Sequence, residues 1–167
     1  MCKHERICSL ALEESKLSKQ KFQHGAIITK SGKPLIICHN DERTTFNGKF
    51  SLCMHSEMNA IIKWLKTYCK NSSAKEIRKK GSKFSLYIIR NNNDNSSNKF
   101  AFSKPCYSCT ILAKKCNFKK IVYTVGGEEI KIVRPANLDI CTSVLTSADR
   151  AFKKHINTYK HITNIIL

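Results

Sequence analysis

Short apolar runs alternate with longer amphipathic stretches along most of this chain. Residues 3–20 carry Ile7, Leu10, Ala11 and Leu17 roughly on one side of a helix, which predicts an opening helix. The runs Gly25-Ala26-Ile27-Ile28-Thr29 and Leu35-Ile36-Ile37-Cys38 flank Ser31-Gly32, the pattern of a β-hairpin. A polar loop over 41–53 follows. Met58, Ile61, Ile62 and Leu65 then predict a helix over 56–68. Residues 70–82 read as a basic connector and 84–89 as a third strand. The run Asn91-Asn92-Asn93-Asp94-Asn95-Ser96-Ser97-Asn98 reads as a low-complexity surface loop. A third helix is predicted over 106–116, a fourth strand over 120–125 and a fifth over 129–133. A parallel partner for the fourth strand would need a crossover segment, and Gly126-Gly127 leaves no room for one. The last pair is therefore expected to be antiparallel. The tail, 146–167, reads as a basic helix. Strands alternating with helices imply an α/β fold, a mixed sheet covered by helices.

Composition narrows this picture. The chain has 167 residues, 41% of them apolar, which suits a single domain over 1–167 with a full core. No run of 18 apolar residues occurs, so no membrane span is expected. Residues 1–6 are charged at once and lack the apolar core of a secretory signal. Nine scattered cysteines, an odd number, then point to reduced thiols in a cytoplasmic or nuclear setting. The formal net charge of +18 suits a polyanionic partner such as RNA or single-stranded DNA. A compositional cause competes with that reading. The chain has 24 Lys against 6 Arg, with 19 Ile and 13 Asn, and Lys, Ile and Asn share A/T-rich codons.

Two clusters carry chemistry: His55-Ser56-Glu57, and Pro105-Cys106-Tyr107-Ser108-Cys109, together H-x-E and P-C-x-x-C. One imidazole and two thiolates, His55, Cys106 and Cys109, can hold Zn2+ and leave a fourth position for water. Two thiolates also balance the dication, so such a site can be buried. Cys106 and Cys109, three apart, share one face of a helix, and Pro105 suits its start. A helix N-terminus favours the thiolate form. His55 and Glu57 are two apart and would diverge inside a helix, so the motif works only where the chain enters one. Both helix N-termini are then expected to face one zinc ion, with Glu57 beside the water as proton carrier rather than ligand. The other residues carry weaker signals. Phe46 and Phe50, in the loop before His55, suit either stacking on a base or anchoring of the loop. Cys38, Cys53, Cys69, Cys116 and Cys141 read as small buried hydrophobes. His24, His39, His155 and His161 have no partner at a defined spacing.

These motifs resemble the cytidine/deoxycytidylate deaminase superfamily over residues 22–135. The stretch from His24-Gly25-Ala26 through Cys38-His39-Asn40 is similar to that family's first hairpin. The resemblance implies a three-layer α/β/α cytidine-deaminase-like fold with a central mixed five-stranded sheet. It also implies hydrolytic deamination of a cytosine base in a nucleoside or nucleotide. Asn40 and Ser56 would hold sugar or base, and relatives often assemble as homo-oligomers. His55 as first ligand resembles the deoxycytidylate, tRNA-adenosine and APOBEC-type enzymes. The antiparallel last strand resembles the free-cytidine branch instead, so the substrate stays open. The alternatives are cytosine or adenine within RNA or DNA, and a non-catalytic zinc-stabilised nucleic-acid-binding module.

Overall fold

The phase of the apolar residues along each strand decides which helix covers which face of the sheet. The computed structural model describes residues 3–42, 45–46, 49–50, 54–93 and 99–138. In chain order the elements are α1 (Lys3–Ser15), β1 (His24–Lys30), β2 (Lys33–His39), β3 (Thr45–Phe46), β4 (Lys49–Phe50), α2 (Ser56–Tyr68), α3 (Ala74–Gly81), β5 (Phe84–Asn91), β6 (Phe100–Ala101), α4 (Tyr107–Cys116), β7 (Lys120–Gly126) and β8 (Glu129–Val133). The main sheet runs β2-β1-β5-β7-β8, with β6 paired to the end of β5. β5 and β7 are parallel, joined through α4, and the other pairings are antiparallel. The mixed five-stranded sheet and the antiparallel last strand are thus as the sequence implied. The short β6 is an addition.

Alternation gives the two faces different partners. Ile27, Tyr87, Ile89 and Val122 pack on one face with Ile7, Cys8, Ala11 and Leu12 of α1. Ala26, Ile28, Leu86, Ile88, Ile121 and Tyr123 pack on the other with α2, α3 and α4. The result is the three-layer α/β/α arrangement. Trp64 of α2 is fully buried there, against Phe84 and Phe118. Gly25 faces α1 so closely that a Cβ would collide with the Ala11 carbonyl oxygen. Both parties are backbone, so neither can swing aside. Gly25→Ala is expected to destabilise the fold by about 1–3 kcal/mol, read as a lower urea midpoint with an unchanged m-value.

Two predicted segments differ from the structure. The opening helix ends at Ser15 rather than at residue 20. Ser15 Oγ donates to Leu12 O (2.7 Å), and the chain turns through Leu17 and Ser18. Leu17 and Leu10 are exposed, so the apolar stripe is Ile7, Cys8, Ala11 and Leu12. The basic connector 70–82 contains α3. Its start is a capping box: Ser73 Oγ accepts from Glu76 N, and Glu76 Oε2 accepts from Ser73 N (2.7 Å). That backbone bond holds the Glu76 carboxyl below its ordinary value. Its contribution is therefore present at neutral pH and fades as pH falls through the folded-state value. Ser73→Ala is expected to cost about 1 kcal/mol by thermal or urea unfolding at pH 7.

Cys38, Cys69 and Cys116 are buried and outside any disulfide, as expected, and Cys8 joins them. Burial pushes the Cys116 thiol up to about 12. Cys53, Cys141, His155, His161, most of the 91–98 run and the 146–167 tail lie outside the described residues. Among the described residues no helix is long and apolar enough to cross a membrane.

Candidate active site

Two helix N-termini meet at one end of the sheet. His55 is the N-cap of α2 and Cys106 the N-cap of α4, both in extended backbone conformations. Neither side chain caps its own helix, so each is free to face the gap between the helices. Cys106 therefore sits just outside α4 rather than on its surface, with Cys109 in the first turn. A buried network holds the approach to this turn. Ser103 Oγ donates to Ile88 O (2.7 Å) and accepts from Thr124 N (2.8 Å). Thr124 Oγ1 donates to Ala101 O (2.6 Å). These bonds tie the segment before Pro105 to the ends of β5 and β7.

The sequence-predicted ligands converge. His55 Nδ1 lies 3.3 Å from Cys106 Sγ and 3.5 Å from Cys109 Sγ. With a Glu57 carboxylate oxygen, the four ligand atoms all lie within 4.8 Å of one another. Ordinary Zn–S and Zn–N bonds at a tetrahedral angle place nitrogen and sulfur about 3.5 Å apart. The donor set and its spacing thus fit zinc. Glu57 is buried, and the fully buried Ser56 donates its hydroxyl to Glu57 Oε2 (3.1 Å). The Cys106 thiol is lowered to about 6, first by the hydrogen bond from Cys109 and then by His55. Burial pushes Cys109 well above the usual thiol value. One thiolate is therefore available at neutral pH before metal arrives.

Asn40 closes β2 beside this end of the sheet. Its Oδ1 accepts from His24 N (2.8 Å), and its Nδ2 donates to Phe22 O (2.7 Å). The backbone of the ribbon formed by β3 and β4 carries Phe46 and Phe50, but their side chains lie outside the described residues.

Sequence reasoning missed His24 and Arg90. They are Cα partners across β1 and β5. His24 is in phase with Ala26 and Ile28, and Arg90 with Leu86 and Ile88, so both stand on the face covered by α2 and α4. Burial lowers the His24 imidazole, opposed by the nearby Glu57 carboxylate and assisted by Arg90 and His55. The signal was the strand period. It places both residues on this face, but their adjacency is a matter of sheet register. His39, also unassigned from sequence, is paired to Glu14 (2.8 Å) on α1.

An α/β/α sandwich presenting an imidazole, two thiols and a buried carboxylate at two helix N-termini defines a zinc-dependent hydrolase. The family model described as "Cytidine and deoxycytidylate deaminase zinc-binding region" matches residues 1–125. The chain belongs to that cytidine and deoxycytidylate deaminase family. Among solved structures it is similar to a cytidine deaminase from Burkholderia pseudomallei, at 15% identity and a TM-score of 0.57, covering 83% of this chain and 96% of that one. It is also similar to the dCMP deaminase of cyanophage S-TIM5 in complex with dCMP and dUMP, at 20% identity and a TM-score of 0.48, covering 72% and 79%. The search of curated proteins finds no match.

Proposed function

We propose that this chain hydrolytically deaminates a cytosine base in a nucleoside or nucleotide, releasing ammonia. The observation that carries the reading is the convergence of His55 Nδ1, Cys106 Sγ and Cys109 Sγ with a buried Glu57 that can carry protons. Zinc, when bound, supplies a Lewis acid that lowers the pKa of water towards about 7. His55, Cys106 and Cys109 would hold it. Glu57 accepts a proton from the attacking water and delivers it to the ring nitrogen beside the attacked carbon. It then carries a second proton, from the new hydroxyl, to the leaving amine. Carbon–oxygen bond formation and carbon–nitrogen cleavage balance as carbonyl plus ammonia. Ser56 fixes one Glu57 oxygen through its hydroxyl, leaving the other to move protons. Asn40 anchors the entry to β1 through its amide and so shapes the substrate side of the site.

A second reading, a cytosine or adenine within RNA or DNA, draws on the net charge of +18. Ammonia release by the zinc-loaded protein distinguishes the two. The panel is cytidine, deoxycytidine, their monophosphates, adenosine, AMP, single-stranded DNA and tRNA. Release from free cytosine compounds is expected. Release confined to polynucleotides, or to adenine, would overturn the first reading.

A further inference from the structure

Arg90 stands near the end of β5 as a cation. Among the described residues no carboxylate pairs with it, and its Nε is buried without a hydrogen-bonding partner. The guanidinium carbon lies 4.4 Å from the centroid of the Phe22 ring. That ring is itself half exposed, and Lys21 Nζ lies 5.8 Å from it. Stacking on an aromatic face fixes the plane of a guanidinium and leaves its edge donors to bind in that plane.

The platform is held rigidly. The Phe22 carbonyl accepts from Asn40 Nδ2 (2.7 Å) and from His24 Nδ1 (3.2 Å). A carbonyl only accepts, so the His24 proton sits on Nδ1. Gln23 O accepts from Asn91 N (2.9 Å), and Gln23 Oε1 from Asn91 Nδ2 (2.8 Å), fastening the same segment to the end of β5. The strand phase then puts Arg90 on the face that carries the zinc ligands. His24, the Cα partner of Arg90, is within electrostatic range of both Arg90 and Glu57. A guanidinium with no acidic partner among the described residues, braced on an aromatic ring on the sheet face that carries the zinc ligands, suits an anionic part of the substrate.

We propose that Arg90, braced on Phe22, binds a phosphate of the substrate, so that the substrate is a phosphorylated nucleotide rather than a bare nucleoside. This rests on the deaminase reading and narrows it. A planar guanidinium engages phosphate oxygens in pairs, and such charge-assisted bonds strengthen binding by about 10- to 100-fold. The phosphate has two sources, the terminal group of a free nucleotide or the backbone of a polynucleotide.

The test uses the zinc-loaded full chain and its Arg90→Gln and Arg90→Lys variants, each checked for an unchanged thermal transition. kcat/KM is measured for deoxycytidine, dCMP and a cytosine-containing oligonucleotide. Equilibrium dialysis with the corresponding products, deoxyuridine and dUMP, gives the affinity with and without a phosphate in the absence of turnover. The wild type is expected to favour a phosphorylated ligand over deoxycytidine by at least about tenfold. Arg90→Gln should collapse that ratio towards one, mainly through KM, and Arg90→Lys should fall between. Preference for dCMP identifies a terminal phosphate, and preference for the oligonucleotide a backbone phosphate. A wild-type ratio near one, or a ratio that survives in Arg90→Gln, overturns the assignment. The dialysis arm separates the two claims: phosphate-dependent binding with no ammonia release sinks the deaminase reading and leaves Arg90 in place.

Discussion

Glu57→Gln is expected to retain one zinc per chain and to lose deamination by about 10³-fold or more. General acid–base catalysis by one group is worth about 10²- to 10⁴-fold, and in the proposed mechanism one carboxylate serves successive transfers. Glutamine keeps the size of the side chain and can still accept from the Ser56 hydroxyl, so the pocket is not emptied. What disappears is an oxygen that can take a proton and return it. His55, Cys106 and Cys109 are untouched by the change, so metal content by atomic absorption should match the wild type. The paired measurement matters because loss of activity with loss of zinc would place Glu57 among the ligands. Activity within tenfold of the wild type, with zinc bound, would remove it from the proton path. The same variant tests the rival of a non-catalytic zinc module, which predicts no functional change.

The metal set was legible because its spacing is covalent. P-C-x-x-C fixes two sulfurs within one helix start, and H-x-E makes sense only at a helix entry; both placements hold. The hairpin β1–β2 and helix α2 were equally plain, the latter over the same residues, 56–68. Errors arose where a local signal was outweighed by its surroundings or passed over. The run of lysines over 70–82 obscured Ser73-x-x-Glu76, a helix-start pattern present in the sequence itself. Leu10 and Leu17 suggested a longer apolar face than α1 has, because helical spacing alone cannot show where the sheet beneath the helix ends. The Arg90–Phe22–His24 grouping was not legible at all. It joins residues 68 positions apart through the register of β1 against β5, which only the assembled sheet defines.

Removal of zinc, or of one of its protein ligands, is expected to give the largest loss of stability. His55→Ala and Cys106→Ala should each bind less than one-tenth of the wild-type zinc. The cause is geometric: α2 and α4 present their N-termini to each other, and the ligands bridge that gap. Without metal, two helix dipoles of like sign and a buried Glu57 face one another across thiol and imidazole hydrogen bonds. A ligand present at about 1,000 times its Kd adds about 4 kcal/mol to the native state. For a chain of this size that corresponds to about 8–16 °C in Tm. Chelator added to the wild type should reproduce the drop, and chelator added to Cys106→Ala should add little to it. Zinc uptake should also depend on pH in two regimes. Above about 6, Cys106 is already a thiolate, and the metal displaces chiefly the proton of Cys109. Below that value both thiols are protonated, so affinity should fall with a slope of at least about two protons per zinc. A Tm insensitive to chelator, or uptake independent of pH between 5 and 8, would show that these side chains do not bind zinc as a set.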